Sequence, residues 1–385
     1  MGAPSINISF IEKAVSAVIR GNRGTVMLWV RDLLPQAAVN PIVVVTESDI
    51  PEGLSSATVE QIRLAMAGYV NAPKKVLVYC MGIEEGEIEQ EAVDAGYKRA
   101  MDACETIRFD YLAAPTAETD GKTRDIASWV KSMRGNKKKV KAVLPNIPAD
   151  NEGIINYTTE KAVKTETAVN EDGTKTTKDI VYSAQQYCAR IAGLIAGTPV
   201  EISCTYAPLP ELSDCTRLKD IDAPVDKGEF ILFHDGEKVK TVRGVNSLVT
   251  FTETKGGSFQ KIKVVETMDM IHDDIIKTAQ DSYLGRYANT YSNKCLLLSA
   301  VNEYFAQLKQ DAIISAYSVS LDSEAVRSYL KSRGLNAVLE NGSMKEADDC
   351  SDEEIITADT GSNVFLTGNI KILDAIEDIT MPIAI

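Results

Sequence analysis

Histidine is almost missing from this chain: His234 and His272 are the only two in 385 residues. Both lie beyond the strand-and-helix alternation of the first 230 residues, so no Ser-His-Asp triad can be assembled there. The sequence contains no His-x-x-x-His pair, no Gly-x-Ser-x-Gly elbow and no Gly-x-Gly-x-x-Gly loop. Its seven cysteines, Cys80, Cys104, Cys188, Cys204, Cys215, Cys295 and Cys350, are odd in number and form no Cys-x-x-Cys pair. That pattern speaks against a zinc site and suits a reducing compartment. Cys104 and Cys188 fall on apolar helical faces, as small core residues do. Long apolar runs are absent, so no segment is expected to cross a bilayer. The N-terminus shows no basic-then-apolar leader, and the expectation is a protein made and folded in the cytoplasm.

Positive charge is also in short supply. Lys and Arg number 41 against 55 Asp and Glu, a net charge of −14. This balance argues against nucleic acid or an anionic membrane as partner, because both want a basic face. The one basic cluster, Arg134, Lys137, Lys138, Lys139 and Lys141, sits between a predicted helix end and a predicted strand. Cations complement the helix dipole there, and the cluster reads as a solvated helix end.

At this length the chain has room for two or three domains. Residues 1–22 read as an arm: in Ser5-Ile6-Asn7-Ile8-Ser9-Phe10 the apolar residues alternate as in a strand, and no hairpin turn supplies a partner. From 23 to 229 strands and helices alternate. Strands are predicted at 42–46, 75–79, 111–114 and 140–144, and helices at 57–70, 88–104, 124–134 and 184–195. Such βαβ units imply a largely parallel sheet between helices. The alternation is broken at 155–182, where Thr-, Lys- and Glu-rich stretches flank Asn170-Glu171-Asp172-Gly173, a hairpin turn signal. This predicts a protruding, solvated hairpin.

The rest of the chain is organised around residues 243–308. A hairpin about Asp235-Gly236 delivers the chain to Gly244-Val245-Asn246-Ser247-Leu248 and a short predicted strand with Val249 and Phe251. Lys261-Ile262-Lys263-Val264-Val265-Glu266 is read as a further strand. Two amphipathic helices follow: Met268, Ile271, Ile275, Ala279 and Tyr283 share one face, and Leu297, Val301, Tyr304, Phe305 and Leu308 share another. A strand at 313–319 and a helix with Ser323 as its N-cap, running to Arg333 and closed by Gly334, come next. Beyond an acidic loop, residues 361–385 read as a second arm. Its apolar residues Ile370, Ile372, Ile376, Ile379, Met381, Ile383 and Ile385 form a hydrophobic strand without a neighbour.

In order and spacing, the Gly244–Leu248 stretch, the 261–266 segment, the helix with Asp273 and Asp274 ending at Tyr283-Leu284-Gly285-Arg286-Tyr287-Ala288-Asn289, and the Tyr304-Phe305-x-x-Leu308 helix resemble the C-terminal domain of contractile phage tail sheath proteins. The resemblance implies a non-catalytic, subtilisin-like α/β domain over 23–229 and an α+β sheath domain over 230–360. Extended β-strand arms over 1–22 and 361–385 complete the chain, with Ile6, Ile8, Phe10, Ile372, Ile376, Ile379 and Ile383 as inter-subunit strand residues. It also implies a compact sheath subunit, as in simple phages or phage-tail-like bacteriocins. Such a subunit is assembled in the bacterial host cytoplasm as a helical homo-oligomer of stacked rings, with a tail tube protein and baseplate and terminator proteins as partners. No catalytic residue, metal or cofactor is implied. Independently of the resemblance, two unpaired strands near the termini suggest strand addition between copies, and head-to-tail contacts of that kind build helices.

The rival reading is a nucleotide-binding α/β enzyme built on Gly121-Lys122-Thr123, which follows a strand and opens a helix. A phosphate loop needs a glycine at 116, where Thr116 stands, and Glu118 and Asp120 would oppose phosphate. Another helical or cell-surface assembly protein is the second alternative. The acidic loop near 350, with Glu346, Asp348, Asp349, Asp352, Glu353 and Glu354, lacks calcium-loop spacing and reads as solvated. His234 and His272 read as structural.

Overall fold

The computed structural model describes residues 18, 23–83, 89–169 and 175–384. The chain divides into two compact units, one of Asn22–Met270 with Asp374–Ile385, the other containing Ile271–Leu373. Sequence patterning places the main boundary near 230. The structure places it at 270, inside a helix, because the segment following the 235–236 hairpin packs with the α/β unit.

The α/β unit opens with β1 (Thr25–Val30), β2 (Ile42–Val44), α1 (Ser56–Met66), β3 (Lys75–Cys80), α2 (Gln90–Cys104), β4 (Tyr111–Ala113), α3 (Thr123–Gly135), β5 (Lys141–Pro145) and β6 (Ile154–Tyr157). A hairpin follows, β7 (Ala162–Val169) and β8 (Lys175–Tyr182), then α4 (Ala184–Ala196), β9 (Asp214–Cys215), α5 (Asp222–Asp226) and β10 (Glu229–Phe230). A short hairpin of β11 (Leu232–His234) and β12 (Val239–Thr241) leads to α6 (Ile262–Thr278). Seven strands form one sheet in the order β10-β6-β5-β4-β1-β3-β2, parallel except for β2 at the edge. β1 shows why its run is continuously apolar. Val26, Leu28 and Val30 face the core shared with α1 and α4, while Met27 and Trp29 face the core shared with α2 and α3. A strand covered on both faces has no solvent side to pattern.

Helix α4 is buried on almost every side. It approaches α1 so closely that a Cβ on Gly193 would lie 2.0 Å from the Ala65 carbonyl oxygen, so only glycine fits there. β7 and β8 pair over their whole lengths, and β9 adds to β7. The turn residues Asn170 to Gly173 lie outside the described residues, as do Ile6, Ile8 and Phe10 of the expected N-terminal strand.

Two sequence expectations are corrected here. Residues 261–266 are not a strand: α6 starts at Ile262, directly after Lys261, and Val249 and Phe251 lie in irregular chain. The helical period wins at 261–266 because Glu266 and Asp269, three apart, occupy one helix face and meet the same buried lysine, Lys141.

The second unit contains the end of α6, α7 (Tyr291–Gln310), β13 (Ile314–Leu321), α8 (Ser323–Arg333), β14 (Ala337–Val338), β15 (Met344–Lys345), α9 (Asp352–Ile355) and β16 (Leu366–Ile372). Helix α7 starts at Thr290, whose side chain accepts from the Asn293 amide. It packs on β13, burying Val301, Tyr304, Phe305 and Leu308. The Tyr304 hydroxyl donates to Asp274 at 2.8 Å, and the Phe305 ring lies 5.8 Å from that of Tyr317. Gly334 closes α8 in the left-handed conformation at φ 64°, as its sequence position predicts, but the N-cap is Asp322 rather than Ser323: its side chain accepts from the Ala325 amide. Phe305→Ala is expected to cost about 3–5 kcal/mol, by loss of buried ring surface and the cavity left behind. Thermal melting checks this, and an unchanged melting temperature would contradict the placement of Phe305.

Candidate functional site

The parallel sheet carries its charge in an unusual place. Lys141, at the start of β5, is 1% exposed, and its Nζ meets Glu266 at 2.8 Å and Asp269 at 3.0 Å. Arg134, from the last turn of α3, donates to both Asp269 oxygens at 2.8 and 3.1 Å. Arg23 reaches Glu266 at 2.6 Å and Asp110 at 3.2 Å. Tyr111 donates to Glu266 at 2.6 Å, and its ring lies 4.8 Å beneath the Lys141 ammonium. The first half of α6 is thereby fixed to strands β4 and β5 by a buried ionic network.

Burial by itself would raise the Glu266 and Asp269 carboxyls. The Arg23 and Lys141 charges outweigh it at Glu266, and the Lys141 and Arg134 charges at Asp269, so both titrate below the ordinary carboxylate range. Burial, reinforced by the Glu266 charge, drives the Tyr111 hydroxyl well above its usual value. The network corrects part of the sequence reading: Lys137 and Lys138 are exposed, but Arg134 and Lys141 are buried. One-dimensional patterning places Arg134 and Lys141 in solvent because their carboxylate partners on α6 lie more than a hundred residues away.

The C-terminal strand is placed differently from the expectation of an unpaired 370–385. Ile370 and Ile372 belong to β16, which pairs antiparallel with β13 of the same chain, Tyr317 opposite Ile370 and Ile314 opposite Ile372. β13, half-buried on the face that packs against α7, provides a partner close at hand. The pair forms a sheet of two strands only, so among the described residues both outer edges are unpaired. Beyond Leu373 the chain has no regular secondary structure and joins no strand among the described residues. Ile376 is 88% exposed, Ile379 83%, Met381 73% and Ile383 72%. The segment is nevertheless tied down at its root, where Asp374 pairs with Lys261 and Asp378 meets Arg243 at 2.6 Å.

The motifs with catalytic associations are satisfied locally. Gly121 turns the chain at φ 67° before α3, and the Lys122 ammonium lies between Asp94 at 2.9 Å and Asp125 at 3.1 Å. Asp120 is buried against Arg31 and accepts from Tyr97 at 2.7 Å and Thr116 at 2.8 Å. A cleft of about 280 Å³ opens beside Arg31, Thr58 and Thr116, but the Arg31 charge is spent on Asp120. Lys122→Ala is therefore expected to leave both assembly and nucleotide response unchanged. Saturable ATP binding that the substitution removes would reverse this reading. His234 accepts from the Gly236 amide, and His272 lies 3.0 Å from Asp273. In the acidic loop, Asp348 pairs with Lys331, Asp352 with Arg327 at 2.9 Å and Glu354 with Lys345 at 2.5 Å. Those carboxylates neutralise local cations, and Glu354 also accepts from the Ser351 amide while the Ser351 hydroxyl accepts from the Glu354 amide, capping α9.

What the fold and these features define is a mixed α/β protein whose distinctive chemistry lies in packing and in an exposed apolar terminus. Family profiles agree: the phage tail sheath protein central domain matches residues 90–247, and the phage tail sheath C-terminal domain matches 254–385. The tail sheath protein of Clostridium phage phiCD119 is 36% identical over 389 residues, covering 99% of this chain and 98% of that protein. Among solved structures, the sheath tail protein of Desulfitobacterium hafniense superposes with a TM-score of 0.66 at 18% identity, over 97% of this chain and 100% of that one. The helical sheath of the anti-feeding prophage, in its contracted state, gives 0.61 at 13% identity, over 100% of this chain and 99% of that one. The chain belongs to the phage tail sheath protein family.

Proposed function

We propose that this chain is a structural, non-catalytic subunit of a contractile tail sheath. Copies polymerise helically around a tail tube and, on contraction, drive that tube through a target envelope. The 23–229 region acts as the subtilisin-like domain in architecture only, and the 230–360 region as the sheath domain. Arms at 1–22 and 361–385 link neighbouring copies, with Ile6, Ile8 and Phe10 at one end and Ile376, Ile379 and Ile383 at the other. Ile372 takes part through the β13–β16 sheet, whose open edges receive a neighbour's strand. Tube, baseplate and terminator proteins are the partners, assembly takes place in the bacterial host cytoplasm, and neither nucleic acid nor membrane insertion is involved.

The observation that carries this reading is the row of large apolar side chains standing in solvent on 376–383. Exposing them is unfavourable unless a partner covers them. A pair of strands alone is marginal, so a two-stranded sheet with open edges gains most from added strands. Contraction needs no hydrolysis when the extended lattice is assembled in a higher free-energy state and rigid units change partners while arms keep connectivity. Negative-stain microscopy of the purified chain tests the proposal: hollow ridged tubes are expected, and a monodisperse small particle under all assembly conditions would overturn it.

A further inference from the structure

Ile376, Ile379, Met381 and Ile383 of the C-terminal segment are exposed, but an acidic side chain among them is not. The Glu377 side chain is 6% exposed. Its Oε1 accepts from Thr205 Oγ1 at 2.6 Å and from Ser203 Oγ at 3.3 Å, and its Oε2 lies 3.4 Å from Lys261 and 3.7 Å from Arg243. The socket is built by the chain itself. Ser203 and Thr205 follow α4, Thr205 Oγ1 also accepts from the Gly244 amide at 3.0 Å, and Lys261 immediately precedes α6. Asp374 and Asp378, on either side, take the same two cations.

We propose that Glu377 is a polar latch that fixes the root of the C-terminal segment to its own subunit, so that the reach toward a neighbour begins at Ile379. The proposal rests on the arm reading given above and adds the place where the arm departs and the residue that sets it. Residues 374–378 are the anchored part, held by two cations and two hydroxyls. From 379 onward no ion pair holds the described chain, and Ile379, Met381 and Ile383 recur at every second residue, which puts them on one face of an extended strand. The partner surface that fits them is an apolar strip along a sheet edge of a second copy. A buried carboxylate makes a firm latch while it is paired, because charge-assisted contacts to two cations and two hydroxyls hold it in place.

The test is made on the unassembled full-length subunit and on tubes. Backbone order parameters of residues 375–378 should lie near about 0.85 in the parent and fall below about 0.6 in Glu377→Ala, while residues 380–384 are low in both. Thr205→Val, which removes the shortest hydrogen bond without touching the segment, should loosen 375–378 in the same direction. Glu377→Ala should also reduce the yield of tubes at a fixed concentration by about tenfold or more. Unchanged order at 375–378 in both variants overturns the latch, whatever deletion of the segment does to assembly. Tubes formed normally after deletion of 374–385 overturn the arm reading instead, and the order parameters still decide the latch.

Discussion

Asp269→Ala is expected to destabilise the α/β unit by about 3–5 kcal/mol, the cost of breaking a buried ion pair by removing one partner. Asp269 takes two hydrogen bonds from Arg134 and one from Lys141, and all three side chains are buried. Removing the carboxylate leaves two cations with only Glu266 at 2.8 Å from Lys141 and Glu152 at 3.8 Å from Arg134 to offset them. The start of α6 loses its attachment to β5 at the same time. Urea denaturation should show a lower midpoint at unchanged slope, as for a loss of stability without a change in compactness. A midpoint within experimental scatter of the parent would show that the network is electrostatically idle.

The same cluster sets the response to acid. Glu266, Asp269 and Glu152 all titrate below their ordinary values of 4.5, 3.8 and 4.5. At Glu152, burial works against the shift, and a backbone hydrogen bond with the Lys255 and Arg134 cations overcomes it. A depressed carboxyl contributes stability that is fully present above its unfolded value and lost as pH falls through the folded one. Stability should thus be flat from neutral pH down to about 5 and then fall progressively below about 4.5. Asp269→Ala should flatten part of that fall.

Deleting residues 374–385 is expected to abolish tube formation and leave a folded, soluble subunit. The cut follows Leu373, whose amide donates to the Ile313 carbonyl at 2.9 Å, so β16 and its pairing with β13 survive. What is lost is the exposed row from Ile376 to Ile383 and the ionic root that orients it. The intramolecular cost is confined to surface ion pairs and the Glu377 socket, so the melting temperature should move by a few degrees at most. A cut at 371, as the sequence alone suggests, would also remove the end of β16 and confuse folding with assembly. Proline at Ile376 should act in the same direction as the deletion, more weakly, by distorting the anchored root that orients the arm.

The α/β layer was legible in the sequence because its signals are local. The β-branched and apolar runs of β2, β3, β4 and β5, the 3.6-residue period of α2, α3 and α7, and the Gly334 cap can each be read within a dozen residues. What escaped depends on distant partners. Lys141 and Arg134 look like surface cations until Glu266 and Asp269 arrive from α6, and the β-branched 261–266 run looks like a strand until those carboxylates demand one helix face. Ile370 and Ile372 look unpaired because their partner strand, β13, lies some fifty residues upstream. Glu377 gave no signal at all: an acidic residue among exposed isoleucines reads as solvent-facing, and only the Ser203, Thr205, Arg243 and Lys261 socket distinguishes it.

That copies are joined through their termini is tested most directly by helical reconstruction of assembled tubes at a resolution that traces main chain. The expected result is a strand from a neighbouring copy, carrying Ile379, Met381 and Ile383, added along an open edge of the β13–β16 pair, so that the two-stranded sheet becomes a composite one. Tubes in which both edges of that pair stay bare, with residues 379–384 lying on their own subunit, would contradict it.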